Sequence, residues 1–148
     1  SLIFNSSVDM NGTKERPINI EGIDSGGIYI QNVNDHSSSV KNTNFSNLAT
    51  VNSLLRRFTG SVNGYGGSFN LTSVSITNGE AEDQLNIVNA EIDVTGLEIT
   101  NAISDAFDCD FCTRTATRQS SRWVDCCLSY SFGDDVCRFN DASIWYFC

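Results

Sequence analysis

Short segments in which apolar and polar residues alternate recur along the chain. This period of two is typical of half-buried β-strands and not of helices. Asn, Gly, Ser or Thr follow almost every segment, and these residues favour turns. The segments are Ile18–Ile20, Ile28–Ile30, Val74–Ile76, Ile92–Val94 and Leu97–Ile99. The pattern predicts an all-β fold, either an antiparallel sandwich or a solenoid of stacked coils.

Internal repetition favours the solenoid. Three segments, Asp83–Val88, Asp105–Asp110 and Asp135–Asn140, begin with Asp and carry apolar residues or Cys at their third and fifth places, at offsets of 22 and 30 residues. In a right-handed parallel β-helix, each coil places the same strand above its predecessor, so that inward side chains stack. The sequence therefore predicts a β-helix of roughly six coils in which Asp83, Asp105 and Asp135 are structural corner residues.

A second repeat ends three strands with asparagine, in Phe45–Asn47, Ile76–Asn78 and Ile99–Asn101. Asparagine tolerates left-handed backbone, and stacked Asn side chains can bond each other along the axis of a solenoid. We expect longer excursions, Asn52–Gly67 and Thr113–Arg122, to be loops. The glycine-rich Gly64–Gly67 lacks the Lys of a phosphate-binding loop and is predicted to be flexible.

Length and charge limit the possible functions. The 148 residues suit one module, residues 1–148, which we interpret as a piece of a larger secreted protein. The formal charge of −9 argues against nucleic-acid binding, which needs a basic surface. No apolar run approaches the roughly 18 residues of a spanning helix, so no membrane insertion is expected.

Cysteines and glycosylation sequons occupy different parts of the chain. The six cysteines are Cys109, Cys112, Cys126, Cys127, Cys137 and Cys148, and the four sequons begin at Asn5, Asn11, Asn44 and Asn70. Together they favour an extracellular or cell-surface glycoprotein with structural disulfides that staple its C-terminal end. A zinc site or a redox dithiol at Cys109-Asp110-Phe111-Cys112 is the alternative, and Cys148 is the candidate for a bond between modules.

The chain resembles the right-handed parallel β-helix domains of the pectin-lyase-like superfamily, of the non-catalytic type in large secreted proteins, including bacterial spore-coat-type and lamin-tail-type surface proteins. The matching segments are Arg16–Gly22, Gly26–Ile30, Glu82–Ile87, Ser104–Phe111 and Gly133–Val136. Arg138 departs from the family, whose last coil usually has a second Asp at that place. Similar segments occur in extracellular filament proteins of the mastigoneme type.

The carboxylates of one predicted strand could have a chemical function. Asp105, Asp108 and Asp110, with Asp135, could bind Ca²⁺, which prefers several carboxylate oxygens. A lyase would in addition need a basic residue, and a hydrolase would need two carboxylates about 5 to 9 Å apart. The candidate bases of a lyase are Arg114, Arg118, Arg122 and Arg138. The recurrence of Asp at the head of each repeat favours corner residues over calcium binding or catalysis.

His36 is the single histidine, and its polar surroundings, Asn34 to Ser39, predict a loop and not a Ser-His-Asp triad. No catalytic residue, metal or cofactor is therefore assigned. We expect a non-enzymatic structural module of an extracellular glycosylated assembly, such as a surface filament, coat or adhesin. Its partners would be further copies, neighbouring modules and N-linked glycans. The alternative is a carbohydrate-active lyase or hydrolase, or a carbohydrate-binding module.

Overall fold

The computed structural model describes residues 1–23, 25–51, 58–114 and 136–139, with backbone alone for 114 and 136–139. Within these ranges every regular element is a β-strand, as predicted, and no helix is present. The same ranges hold no helix long and apolar enough to cross a membrane.

Twelve strands are described. They are β1 (Leu2–Phe4), β2 (Asp9–Asn11), β3 (Ile18–Glu21), β4 (Ile28–Gln31), β5 (Ser37–Ser46), β6 (Gly60–Tyr65), β7 (Ser68–Thr77), β8 (Asp83–Val88), β9 (Glu91–Thr100), β10 (Asp105–Asp110), β11 (Thr113–Arg114) and β12 (Val136–Phe139).

The strands form two sheets, which the chain visits in turn. The first sheet has five strands in the order β1-β4-β6-β8-β10. The second has the order β11-β9-β7-β5-β2, with β3 also on β5 and β12 also on β9. All pairs are parallel except the pair of β12 and β9. A parallel pair needs a crossover between its strands, and here the other sheet supplies it.

The apolar core lies between the two sheets. In the first sheet Val62 pairs with Leu85, and Leu85 pairs with Phe107, one strand further on. In the second sheet Phe45, Ile76 and Ile99 are in register in the same way. All these side chains are buried. The pairing of Asp105 with Asp83 and of Cys109 with Ile87 confirms the predicted alignment of these two segments.

The three long strands β5, β7 and β9 share a bend. Asn42, Ser73 and Gly96 have φ values of 45°, 53° and 67°, which lie in the left-handed region. Each of these residues stands between two runs of paired residues. The three strands therefore change direction at corresponding positions along their length. Asparagine and glycine tolerate this backbone, and Ser73 adopts it within the stack.

Asparagines also form a ladder at the ends of these strands. Asn47, Asn78 and Asn101 all have left-handed backbone, with φ values of 54° to 56°. Asn101 donates from Nδ2 to Asn78 Oδ1 at 2.7 Å, and Asn78 donates to Asn47 Oδ1 at 3.3 Å. Asn47 in turn donates to Glu21 Oε1 at 3.0 Å. The predicted asparagine stacking is confirmed.

Three expectations about segments of the chain are wrong. Thr113–Arg114, at the start of the predicted loop Thr113–Arg122, is strand β11. Gly60–Tyr65, within the predicted loop Asn52–Gly67, is strand β6. Gly64 belongs there because an added Cβ would come within 2.6 Å of Ile87 Cδ1, so the core requires a residue without a side chain. Val136–Phe139 does not continue the parallel stack on β10, but pairs antiparallel with Leu97–Thr100 at the free edge of β9.

The ladder yields a stability prediction. The substitution Asn78→Ala removes two ladder bonds and places alanine in left-handed backbone, so we expect a loss of about 2 to 3 kcal/mol in the free energy of unfolding. Asn89→Ala is the matched control, because Asn89 is also left-handed and exposed but lies outside the ladder. Urea unfolding of both variants should differ by about 1 kcal/mol. Equal losses would show that the ladder bonds contribute nothing.

Candidate functional site

Polar side chains are buried along the first sheet, where the two-residue period would otherwise place solvent-facing groups. Asn63 on β6 and Asn86 on β8 are in register and only 3% and 7% exposed. Asp108 on β10 is in register with Asn86, and Asp83 at the start of β8 is 4% exposed. Buried polar groups must find hydrogen-bond partners, and these four residues find them differently.

Asn63 uses its amide to fix the beginning of β6. Its Oδ1 accepts from the Gly60 backbone N–H at 3.0 Å. Its Nδ2 donates to the carbonyls of Gly60, at 2.7 Å, and of Ile28, at 3.0 Å. Both donors and one lone pair of Asn63 are thus occupied within the protein, and its role is structural.

Asn86 bridges two carboxylates. Its Nδ2 donates to Asp83 Oδ2 at 3.2 Å, three residues earlier, and to Asp108 Oδ2 at 3.1 Å, on the neighbouring strand. A single amide nitrogen therefore supplies both of its hydrogens to the acids on either side. We name Asp83, Asn86, Asp105 and Asp108 the acid–amide cluster.

The cluster raises the pKa of two of its carboxyl groups. For Asp83, burial raises the pKa, hydrogen bonds from Thr59 and Asn86 oppose the rise, and the charges of Asp105 and Glu82 add to it. For Asp108, burial again raises the pKa most, followed by the nearby charge of Asp110. Desolvation and like charge both disfavour the ionised form, so these carboxyls hold protons more readily than exposed ones.

Asp105 contributes an unsatisfied oxygen. Its Oδ1 is buried and has no hydrogen-bond partner among the described residues. The cluster also has no cation from its own stretch of chain, because the sequence from Phe58 to Thr113 contains no Lys, Arg or His. A buried carboxylate oxygen without a donor or a counter-charge favours a cationic or hydrogen-bond-donating partner.

A cavity of about 370 Å³ opens beside the cluster. Its aromatic walls are Tyr29 and Phe58, whose ring centroids lie 4.4 Å apart, and Tyr65, which is 40% exposed. Asn86 and Asp110 line its polar side. We call this cavity the aromatic groove; its volume falls within the range of small-molecule sites, roughly 300 to 1,000 Å³.

The predicted calcium ligands of β10 do not form a metal site in the described part of the chain. No group of three or more His, Cys, Asp or Glu side chains there is placed to hold a metal ion. Asp105 and Asp108 instead belong to the acid–amide cluster, and Asp110 lines the groove. Asp135, the fourth candidate, lies outside the described residues, as do Arg118 and Arg122.

Asp83 and Asp105 begin their strands beside a turn, in register with each other. Left-handed backbone occurs at the other ends of the strands of this sheet, at Gly66, Asn89 and Phe111, which directly follow β6, β8 and β10. Asp83 accepts from the side chains of Asn86 and Thr59. The recurring Asp therefore contributes to the acid–amide cluster as well as to the repeat.

Cys109 and Cys112 form a disulfide with each other, with Cα atoms 5.7 Å apart. Cys109 is buried in register with Ile87, and Cys112 lies near the Ile87 carbonyl, with Sγ at 3.4 Å. The bond spans the turn from β10 to β11, so this pair neither holds zinc nor offers free thiols. Of the other predicted disulfide cysteines, Cys126, Cys127 and Cys148 lie outside the described residues, as does the side chain of Cys137.

The four sequons lie at the surface to different extents. Asn5, Asn11 and Asn70 are exposed, whereas Asn44 is half-buried in β5. Asn44 donates from Nδ2 to Asn19 Oδ1 at 2.8 Å and accepts from Ser75 Oγ at 2.7 Å. Asn44 thus takes part in a second polar ladder, which crosses β3, β5 and β7.

The residues that make the groove are not evident from composition or motifs. Asn86 and Asp108 share the fourth place of the two aligned segments, so the repeat itself contains a signal for that pair. Phe58 and Tyr29 are distant in sequence and have no such signal. His36 is exposed in the turn before β5, with Asn34 and Asp35 in left-handed backbone, as expected for a loop.

Comparisons with known proteins add no relative. No protein-family model, no curated protein sequence and no solved structure matches this chain. The chemistry of the site is therefore argued from its residues alone.

The raised carboxyl pKa values predict greater stability in acid. Because the pKa of Asp83 and of Asp108 is higher in the folded than in the unfolded chain, folding favours proton uptake. The free energy of unfolding should rise as the pH falls from neutrality toward the unfolded Asp pKa of about 4. The stabilisation is lost again as the pH rises through the folded pKa values.

The pH effect can be assigned with one substitution. Asp108→Asn keeps an acceptor for Asn86 and removes the charge, so it should raise stability at pH 7 and reduce the gain on acidification. Asp93→Asn removes an equal charge from an exposed position on the second sheet and is the control. Urea unfolding between pH 4.5 and 8 measures both, and identical pH profiles for the two variants would contradict the assignment.

Proposed function

We propose that the chain is a right-handed parallel β-helix module with a non-enzymatic, structural role in an extracellular glycosylated assembly. The alternation of the chain between two parallel sheets supports the β-helix, because each return to a sheet adds a strand beside the previous one. The shared bend at Asn42, Ser73 and Gly96 supports a coil with three faces, since it divides each long strand into two. Parallel crossover connections are right-handed in nearly all proteins.

The observation that carries the structural role is the use of repeated polar positions for bonds between neighbouring strands. The ladder of Asn47, Asn78 and Asn101 joins three consecutive strands of the second sheet. The ladder of Asn19, Asn44 and Ser75 does the same for β3, β5 and β7, and Asn44 and Ser75 lie three residues before Asn47 and Asn78. Side chains that bond to their own repeat hold the stack together and are not available to a substrate.

The disulfide and the sequons support an extracellular location. Cys109–Cys112 suits an oxidising compartment, since cytosolic reductants keep most thiols reduced. Three of the four sequon asparagines are exposed on the folded chain, so glycans there would extend into solvent without disturbing the core. Partners of such a module would be further copies of the chain or neighbouring modules.

The proposal can be tested on the chain secreted from eukaryotic cells. We expect glycopeptide mass spectrometry to find N-glycans at Asn5, Asn11 and Asn70. Analytical ultracentrifugation from micromolar to millimolar concentration, with electron microscopy of the same sample, should show oligomers or filaments that grow with concentration. A chain that stays monomeric throughout, with empty sequons, would refute the assembly role; a nonglycosylated bacterial preparation is the matched control.

A second candidate function is carbohydrate recognition or cleavage on the first sheet. The acid–amide cluster beside the aromatic groove favours it, because raised carboxyl pKa values suit a general acid and aromatic rings stack on sugars. Incubation with pectin and alginate, with and without Ca²⁺, followed by assays for reducing and unsaturated ends, tests it. Product that forms with the native chain and disappears in Asp108→Asn would replace the structural proposal.

A further inference from the structure

We propose that the aromatic groove binds the guanidinium group of an arginine side chain from a protein partner. The inference concerns a site of its own and does not depend on the assembly role. It rests on three properties of the groove: its polar groups are acceptors, its walls are aromatic, and its surroundings are anionic.

The polar groups left open in the groove accept hydrogen bonds. Asn86 is 7% exposed, and both of its Nδ2 hydrogens are used by Asp83 and Asp108. No donor to Asn86 Oδ1 or to the Asp110 carboxylate is found among the described residues, and both residues line the cavity. Asn63 also lines it, but both donors of its amide are already occupied. The open sites therefore require a ligand that donates, and a guanidinium has five N–H donors and no acceptor.

The aromatic walls suit a flat cation. Phe58 is half-buried and Tyr65 is 40% exposed, so both rings can be reached from solvent. A guanidinium stacks on aromatic faces and is more weakly hydrated than an ammonium, which favours arginine over lysine in such a groove. A cation within about 6 Å of the ring centre gains roughly 0.5 to 2 kcal/mol.

The charge around the groove favours the same ligand. Asp110 lines the groove, and Asp83 and Asp108 accept hydrogen bonds from the Asn86 amide at its edge. The charge of Asp105 acts on both Asp83 and Asp108. The sequence from Phe58 to Thr113 contains no cationic side chain. A neutral saccharide would need donors as well as acceptors from the groove, and the amide hydrogens of Asn63 and Asn86 are already used within the protein.

The experiment uses the full chain, labelled with ¹⁵N, and a short peptide, acetyl-Gly-Arg-Gly-amide. The matched ligand contains citrulline in place of arginine, which keeps the shape and removes the charge. We expect saturable shifts of the Asn86 side-chain amide and of the Gly66 and Asp110 backbone amides with arginine alone. Asp110→Asn should weaken binding roughly three- to tenfold, as for one charge-assisted bond.

Asp93→Asn removes the same charge from the second sheet and should leave the affinity unchanged. Because Arg56 and Arg57 directly precede Phe58 in the sequence, the titration is repeated with the Arg56→Gln/Arg57→Gln variant, whose own guanidinium groups cannot compete. Saturable binding to either chain that Asp110→Asn weakens by this factor supports the proposal.

Three results would overturn it. The first is the absence of saturable binding in both the native chain and the double variant. The second is equal binding of the citrulline peptide, or an equal loss in Asp93→Asn and Asp110→Asn, which would mean a diffuse charge effect. The third is a shift of the same groove signals by neutral oligosaccharides and not by arginine, which would assign the groove to carbohydrate.

Discussion

Stacking of equivalent side chains on neighbouring parallel strands, about 4.8 Å apart, is the constraint on which the rest of this structure depends. In parallel pairing, equivalent residues of neighbouring strands occupy equivalent environments. A position that faces the interior on one strand therefore needs an apolar residue on the next strand as well. Val62, Leu85 and Phe107 satisfy this inside, and Asn47, Asn78 and Asn101 satisfy it at the surface. The same register of parallel strands therefore produces both the stacked apolar core and the asparagine ladder.

This constraint explains which parts of the fold were predictable. Asp83–Val88 and Asp105–Asp110 could be aligned from the sequence because their inward residues must match in stacked strands. β6 was missed because Gly60 and Gly64 resemble loop residues, although the crowding of Ile87 against Gly64 demands a glycine inside the sheet. The antiparallel pairing of Val136–Phe139 was not predicted, because its alternating sequence resembles that of β8 and β10. Such a sequence is compatible both with a further parallel strand and with a strand that covers the edge of a sheet.

The candidate site was predictable only in part, for a related reason. Asp105, Asp108 and Asp110 stood out because they alternate along one strand. Their partners did not, because Asn86 is an ordinary member of the repeat until its position between two carboxylates is known. Phe58 reaches Tyr29 from a connecting segment, and the sequence period carries no information about such contacts. Stacked positions leave a sequence signal, whereas contacts made by connections between strands do not.

The same stacking makes charge costly, and this accounts for the form of the acid–amide cluster. Two carboxylates at one strand position would stand about 5 Å apart, where their repulsion is about 3 kcal/mol at an effective dielectric constant of 20. At the fourth place of the repeat the amides of Asn63 and Asn86 precede Asp108, so that a donor and not a second carboxylate faces that acid. At the first place of the repeat Asp105 does follow Asp83, and there one oxygen of Asp105 is left without a donor. An unsatisfied acceptor is therefore what a repeating strand produces where one acid follows another, whereas an amide that precedes an acid supplies the donor that the acid needs.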